Sequence, residues 1–471
     1  MRYAHTVEQV RAAEETLLAQ QPEGALMQRA AHGLAYAVLD LLGSAYGRRV
    51  LLLVGPGNNG GDALYAGAVL AGRGCAVEAW LVTDHTHVGG LEALRTAGGR
   101  VVCLSELPGA LSGTQPPSAE VVIDGILGIG GRPGLPDAAI EALEHVRGIP
   151  LVAVDTPSGV DVDTGETPAS HARADLTVTF GTHKVAHLVD PAASACGVVQ
   201  LVDLGLHLPA ADVESLQPAD VARLLPRPGS DAHKYTRGVV GVRAGSTDYP
   251  GAGLLSVAGA ASGLCGMVRY VGNADVAVRV RAAHPEVVGE GQVQAWVVGS
   301  GSGPDAAREL AAALSDGVPT VIDADALAHV TGPVAPPTVL TPHAGELARM
   351  LGIDRGTIEA RPLAHARDAA DRYDAVVLLK GRHTLVAAPG GRVRVTTTGT
   401  PWLATAGAGD VLGGLIGALL AAGLDPFDAA SVGSWLHGAA ATLAGGGGPL
   451  SAGRVAEAIP DAVRRMGQST P

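Results

Sequence analysis

Two successive series of short, uninterrupted apolar runs, each run emptying into a polar loop, limit the folding options of this chain more than any other feature. The first series opens with Val50-Leu51-Leu52-Leu53-Val54, which leads into Gly55-Pro56-Gly57-Asn58-Asn59-Gly60-Gly61-Asp62 and then a helix-like stretch at 63–70. A strand apolar on both faces belongs in the middle of a parallel sheet covered by helices. Comparable runs at 77–82, 121–123, 151–154 and 176–180 predict further strands with helical stretches between them, and 1–47 reads as helices leading into the sheet. Between 208 and 231, Pro209, Pro218, Pro226 and Pro228 break the rhythm, which resumes with strands at 239–242, 296–298, 318–322, 338–340 and 376–379 and helices at 252–264, 306–314 and 411–422. A chain of 471 residues exceeds one ordinary core. The expectation is α/β throughout, as domains 1–210 and 229–468 joined by a linker at 211–228.

Open parallel sheets hold ligands outside the carboxyl ends of their strands. The first loop there has neither G-x-G-x-x-G nor a Walker lysine, so it belongs to neither of those phosphate-binding types. Its paired Asn58 and Asn59 offer side-chain carbonyls to a cation or a ligand, although Asn-Gly and Gly-Asp also form ordinary turns. Two later strands end in aspartate: Asp124, followed by Gly125-Ile126-Leu127-Gly128-Ile129-Gly130-Gly131-Arg132, and Asp155, followed by Thr156-Pro157-Ser158-Gly159. Either could simply cap a helix, but together with the Asn pair they converge on one crevice. Lys184 follows the next strand at the same rim.

In the second series the decisive stretch is Ala406-Gly407-Ala408-Gly409-Asp410-Val411-Leu412-Gly413-Gly414, a small-residue loop feeding a helix. The first helical turn has unpaired N–H groups and the positive end of the dipole, so it suits a phosphate. An aspartate among those donors has work to do if it takes a proton from an attacking hydroxyl, and Asp410 is the first catalytic candidate; the alternative is an N-cap. Of 33 basic residues only Lys184, Lys234 and Lys380 are lysines, each inside such a motif. A net charge of −13 without any basic run argues against nucleic acid or acidic membranes as partners. The apolar run 411–424 is too short to span a bilayer. Cys75, Cys103, Cys196 and Cys265 show no C-x-x-C spacing, the start of the chain shows no signal-peptide pattern, and a cytoplasmic setting is expected.

Taken together, Pro56 to Asp62, Asp124 with its Gly-rich loop, Asp155-Thr156-Pro157-Ser158-Gly159 and Leu26-Met27-Gln28-Arg29-Ala30 resemble the NAD(P)H-hydrate epimerases. That resemblance implies a Rossmann-like three-layer N-terminal domain that interconverts the R and S hydrates NADHX and NADPHX with a bound K+. It implies substrate contacts from Asn58, Asn59, Gly60, Gly61 and Asp62 and from Gly128, Ile129, Gly130, Gly131, Arg132, Pro133 and Gly134. Asn59, Asp124 and Ser158 would hold the potassium, and Asp155 would serve the reacting ring. Thr156 stands where the family more often has Ile.

From 230 to 460, the motifs His233-Lys234-Tyr235, Gly245 to Ala252, Gly299-Ser300-Gly301-Ser302-Gly303, Asp323-Ala324-Asp325, Thr341-Pro342-His343-Ala344-Gly345-Glu346 and Lys380-Gly381-Arg382-His383-Thr384 resemble the ADP/ATP-dependent NAD(P)H-hydrate dehydratases. The implied fold is ribokinase-like α/β. Ala252, Gly301, Gly303, His343 and Asp410 would face the hydrate, while Lys380, Gly381, Arg382, His383, Thr384 and Gly409 would meet ADP with Mg2+. The family usually has G-P-G-L-G at 299–303 and G-T-G-D at 407–410; the Gly407-Ala408-Gly409-Asp410 form is the one common in ribokinase-like sugar and vitamin kinases. The expected reaction begins with Asp410 taking the hydrate's hydroxyl proton as that oxygen attacks the terminal phosphate of ADP. The intermediate then expels phosphate, leaving AMP and the reduced nucleotide. A homo-oligomer is expected. The competing readings are a ribokinase-like small-metabolite kinase with an accessory N-terminal domain, and a nucleotide sensor that binds without turnover.

Overall fold

Val50 to Val54 are all buried, and the strand they form lies between two others in the first sheet. The computed structural model describes residues 1–22, 24–104, 117–335 and 337–468. These fall into two compact units, one spanning Tyr3–Ala211 and the other running from Asp212 onward together with Met1–Arg2.

The N-terminal strands are β1 Arg2–His5, β2 Arg49–Val54, β3 Ala76–Leu81, β4 Arg100–Cys103, β5 Val121–Gly125, β6 Leu151–Val154, β7 Leu176–Phe180, β8 His183–Lys184 and β9 Val198–Val202. Seven of them form a parallel sheet in the order β4-β3-β2-β5-β6-β7-β9. The order turns around at β2 and β5, so the loops after those strands diverge and leave a crevice. The short β1 pairs with β8, placing His5 opposite Lys184.

Two expectations need correction here. Residues 1–47 begin with a strand and not a helix, and the Val7–Leu18 helix that follows starts from a capping box between Thr6 and Gln9. Asn58 to Asp62 are also not a free loop, because the Asn58–Gly72 helix begins at Asn58. The helix enters that early because Gly60 lets its backbone rest on the Gly55 carbonyl; a Cβ at Gly60 would lie 2.2 Å from that oxygen.

The C-terminal strands are β10 Val213–Ser215, β11 Val239–Arg243, β12 Met267–Tyr270, β13 Ala295–Val298, β14 Thr320–Ile322, β15 Thr338–Leu340, β16 Val376–Leu379, β17 Thr384–Ala387 and β18 Val393–Thr396. They run β12-β11-β13-β14-β15-β16-β17-β18-β10, parallel as far as β16 and then antiparallel through β17 and β18. The segment expected to be a linker, 211–228, contains β10, which pairs with β18, and the Pro218–Leu224 helix, in which Val221 is fully buried. Pro218 misled because it sits in the first helical turn, where a missing N–H costs nothing.

The Ala408–Ala421 helix is buried along nearly its whole length. It packs backbone to backbone on the Pro250–Ala260 helix: a Cβ on Gly414 would lie 1.9 Å from the Ser256 carbonyl oxygen, and one on Gly259 would lie 2.1 Å from that of Val411. This contact fixes where the turn at 407–410 points. The apolar run at 411–424 is thus a core element, and among the described residues no helix is long and apolar enough to cross a membrane.

Candidate functional site

In the N-terminal unit a cavity of about 660 Å³ opens over the carboxyl ends of the strands, against the start of the Asn58–Gly72 helix. Asn58, Asn59, Asp62, Gly128, Ile129, Gly130, Gly131 and Asp155, eight of the expected residues, line it. Gly60, Gly61, Arg132, Pro133 and Gly134 do not. Gly60 and Gly61 instead allow close packing against Gly55 and His87. A larger cavity of about 810 Å³ lies by the start of β6 and of β7, away from these carboxylates.

Asp155 directly follows β6, with a left-handed backbone (φ 64°) that Asp tolerates better than most residues. Its Oδ1 accepts hydrogen bonds from the Thr179 hydroxyl at 2.8 Å, from the Phe180 N–H at 3.2 Å and from the Lys184 ammonium. The hydrogen bonds to the carboxylate thus fall on one oxygen, and Oδ2 is left for the cavity. The Lys184 Nζ also donates to the Thr179 hydroxyl oxygen and the Phe180 carbonyl, each at 3.0 Å. His187 Nδ1 accepts from the Lys184 N–H at 2.9 Å, so the ring proton sits on Nε2, which donates to the Asp155 carbonyl at 2.8 Å. Burial, reinforced by the Lys184 charge, pushes the His187 pKa down to about 3, so the ring is neutral.

Two further carboxyls share the cavity. Burial, with the charges of Asp155 and Glu14 added, raises the Asp62 pKa well above the carboxylate range. Burial and then the charge of Asp155 raise that of Glu14. Glu14 and Arg11 come from the Val7–Leu18 helix, and the sequence reading missed both. Their i, i+3 spacing on a capped helix was the available signal, but nothing local tied that helix to a site.

Asp124 is fully buried behind the cavity, and burial raises its pKa against the opposing hydrogen bonds from Ser158 and Ile126. Its Oδ1 accepts from the Ser158 hydroxyl at 2.6 Å and its Oδ2 from the Ser158 N–H at 2.9 Å. Asn59 Nδ2 donates to the Leu127 and Val154 carbonyls at 3.0 and 2.6 Å, leaving its Oδ1 against Gly128. Asn59, Asp124 and Ser158 therefore gather around Leu127 as an all-oxygen donor set of carboxylate, hydroxyl and amide carbonyl. Such a set fits a hard cation and does not resemble a transition-metal site. Among the described residues no group of three or more His, Cys, Asp or Glu is placed to hold a metal.

The C-terminal unit gathers its charges at the ends of β13, β14 and β16. Lys380 Nζ lies 2.8 Å from Asp323 Oδ1 and 3.6 Å from Glu346 Oε2, and the Ser300 hydroxyl lies 3.3 Å from Asp323 Oδ2. Gly409 sits against this group: a Cβ there would be 3.6 Å from Lys380 Nζ. Gly407, with φ 86°, caps the Ala408–Ala421 helix without a side-chain bond; the Ala408 N–H donates to the Thr405 carbonyl at 3.3 Å, and the N–H groups of Gly409 and Asp410 stay available to an anion. Burial alone would raise Asp323, but Lys380 outweighs it and holds that pKa below the usual range. Burial, then the charge of Asp323, pushes Asp410 up to about 6. Asp410 is ionised at neutral pH and basic enough to accept a proton.

Other expected residues surround this cluster. Ala252 touches Gly301, where an added Cβ would fall 2.7 Å from the Ala252 Cβ. His343 pairs with Lys380 across a β-bridge, and its Nδ1 accepts from the Glu346 N–H at 3.1 Å, capping the Ala344–Leu351 helix. Gly303 N–H donates to Asp325 at 2.9 Å. Gly381, Arg382 and His383 form the turn between β16 and β17, and Thr384 begins β17. The sequence reading named the motifs that contain Ser300, Asp323 and Glu346 but gave none of the three a role. The signal for Asp323 was its place at a strand end, as for Asp124 and Asp155.

Comparison with known proteins assigns both halves. The family model described as NAD(P)H-hydrate dehydratase matches residues 240–448, and the one described as YjeF-related protein N-terminus matches 23–186. The chain is similar to the bifunctional NAD(P)H-hydrate repair enzyme Nnr of Mycobacterium leprae, 44% identical over 99% of this chain and 100% of that protein. It is similar also to that of Mycobacterium tuberculosis (strain CDC 1551 / Oshkosh), 46% identical over 92% of each. Among solved structures it resembles the ADP/ATP-dependent NAD(P)H-hydrate dehydratase of Bacillus subtilis co-crystallised with ATP/Mg2+. There the TM-score is 0.52 and the identity 29%, covering 55% of this chain and all of that one.

Proposed function

The chain belongs to the family of bifunctional NAD(P)H-hydrate repair enzymes, and from that membership we propose which residues perform each half of the repair. It epimerises the R and S hydrates of NADH and NADPH, and it dehydrates the S form at the expense of ADP, giving AMP and phosphate. Residues 1–210 carry the epimerase and 229–468 the dehydratase. The observation that carries the reading is that each unit builds a lysine–aspartate ion pair at its strand ends, with Asp155 a member of the pair in the first and Asp410 a third group beside the pair in the second.

In the epimerase cavity the hydrated ring carbon bears its hydroxyl beside the ring nitrogen. When that C–O bond breaks, or when the ring opens, positive charge develops, and Asp155 Oδ2 faces it as a fixed counter-charge. Addition of water to the opposite face of the ring restores the hydrate with inverted configuration. Asn59, Asp124 and Ser158 would hold K+, whose contribution is fixed positive charge beside the substrate loops.

In the dehydratase, Asp410 removes the hydroxyl proton as the oxygen bonds to the terminal phosphorus of ADP and the bridging P–O bond to AMP breaks. The N–H groups of Gly409 and Asp410 and the Lys380 ammonium stabilise the transferring phosphoryl group. Mg2+ accompanying the nucleotide supplies charge neutralisation on the phosphate oxygens. The ring nitrogen then expels phosphate, and loss of a proton from the adjacent carbon gives the dihydronicotinamide.

Incubation with mixed R and S NADH hydrate, K+, Mg2+ and ADP tests the whole scheme. Complete conversion with one AMP and one phosphate per NADH supports it. A persistent phosphorylated product without NADH would replace it with a kinase.

A further inference from the structure

Lys184 has no part in the scheme above, yet its side chain is the most enclosed cation near either site, at 1% exposure. A buried ammonium is costly unless each of its donors is met, and here all three are: by Asp155 Oδ1, the Thr179 hydroxyl oxygen and the Phe180 carbonyl. None is left for a ligand. Its own backbone N–H is held by His187, whose other nitrogen holds the Asp155 carbonyl, so the lysine and the aspartate are tied at both side chain and main chain.

We propose that Lys184 is a positioning residue for epimerisation: by taking Asp155 Oδ1 together with Thr179 and the Phe180 N–H, it fixes the Asp155 side chain with Oδ2 turned to the substrate. The inference rests on the assignment of Asp155 to the reacting ring. The surroundings make such a device necessary. Glu14 from the Val7–Leu18 helix and Asp62 from the Asn58–Gly72 helix both press negative charge on Asp155, and Lys184 opposes them. The remaining titratable groups are His187, which is neutral, His5 and His183 on the β1–β8 pair, and Arg11 beside Glu14. Without the ammonium, Asp155 would lose one of the three anchors on Oδ1 and, with it, the cation that opposes the neighbouring carboxyls.

The test is a double-mutant cycle with Lys184→Met and Asp155→Asn in the full chain, with a thermal unfolding scan of each variant reporting that both units are folded. Lys184→Met should lower epimerase kcat about 100-fold with little change in KM. The acid-side limb of its pH profile should move up by roughly one to three units. Adding Lys184→Met to Asp155→Asn should change nothing further. Thr179→Val, which removes one donor to the same oxygen, should move both readouts less and in the same direction, and it decides the matter if Lys184→Met does not fold. An unshifted pH limb in every folded variant, or a Lys184→Met loss that is undiminished in the Asp155→Asn background, would overturn the inference. Full epimerase activity in Asp155→Asn alone would instead remove the assignment on which it rests.

Discussion

The two crevices use the same pair of residue types for different ends. In each, a lysine is ion-paired to an aspartate at a strand end, Lys184 with Asp155 and Lys380 with Asp323. Lys184 is sealed in, and its donors are all spent on protein oxygens. Lys380 keeps 23% of its side chain exposed, lies between Asp323 and the more distant Glu346, and stands beside the bare backbone of Gly409. The first lysine can act only through its partner, whereas the second can also meet a phosphate. The reacting carboxylates differ accordingly. Asp155 is itself the paired aspartate, whereas Asp410 is a third group, raised to about 6 by burial and then by the charge of Asp323. Exposure of the ammonium thus separates a carboxylate held in place to stabilise a cation from one left basic to remove a proton.

The sharpest way to break this comparison is Asp410→Asn. Dehydration should fall by about 10³-fold or more while epimerisation stays within twofold, measured on the same preparation by NADH formation and by R/S ratio. Lys380→Met comes next: kcat/KM for ADP should drop about 100-fold, with a raised KM for ADP that no change at Lys184 reproduces. The pH dependence then sharpens the contrast. Asp410 must be ionised to act, and its pKa is raised to about 6, so dehydratase kcat/KM should fall about tenfold per unit below that pH and level off above it. Gly128→Ala would put a Cβ 2.4 Å from Asn59 Oδ1, and epimerisation should fall roughly tenfold with dehydration unaffected. Ser300→Ala should have the smallest effect. It removes a hydrogen bond that lowers the Asp410 pKa, so the acid limb of dehydration should move slightly upward, with a loss of about twofold well below pH 6 and little change at pH 7.

The sequence was most legible where physical necessity is local. Central strands such as Val50 to Val54 must be apolar on both faces, and the carboxylates at 124, 155 and 410 stand at element ends that the pattern marks. Edge strands were harder to read. β4 and β9 are partly exposed and their apolar runs are short, three residues in β4 and broken by Gln200 in β9, while β18, inside its sheet, hides a buried Arg394 that is neutralised by Glu214 and Asp428. Arg11 and Glu14 reach the epimerase cavity from a helix that precedes β2 in sequence, and only the closed fold brings them there. The division of labour between Lys184 and Lys380 was likewise invisible, since it depends on burial and on which oxygens each ammonium meets.

The central claim is that the two centres are separate and that each depends on its own aspartate. The direct measurement supplies pure R hydrate, Mg2+, K+ and ADP to the Asp155→Asn chain, to the Asp410→Asn chain and to an equal mixture of the two. Neither variant alone should form NADH above the spontaneous rate, and the mixture should form it readily, because one chain supplies S hydrate and the other dehydrates it. Rapid NADH formation by either variant alone, or none from the mixture, would contradict the account.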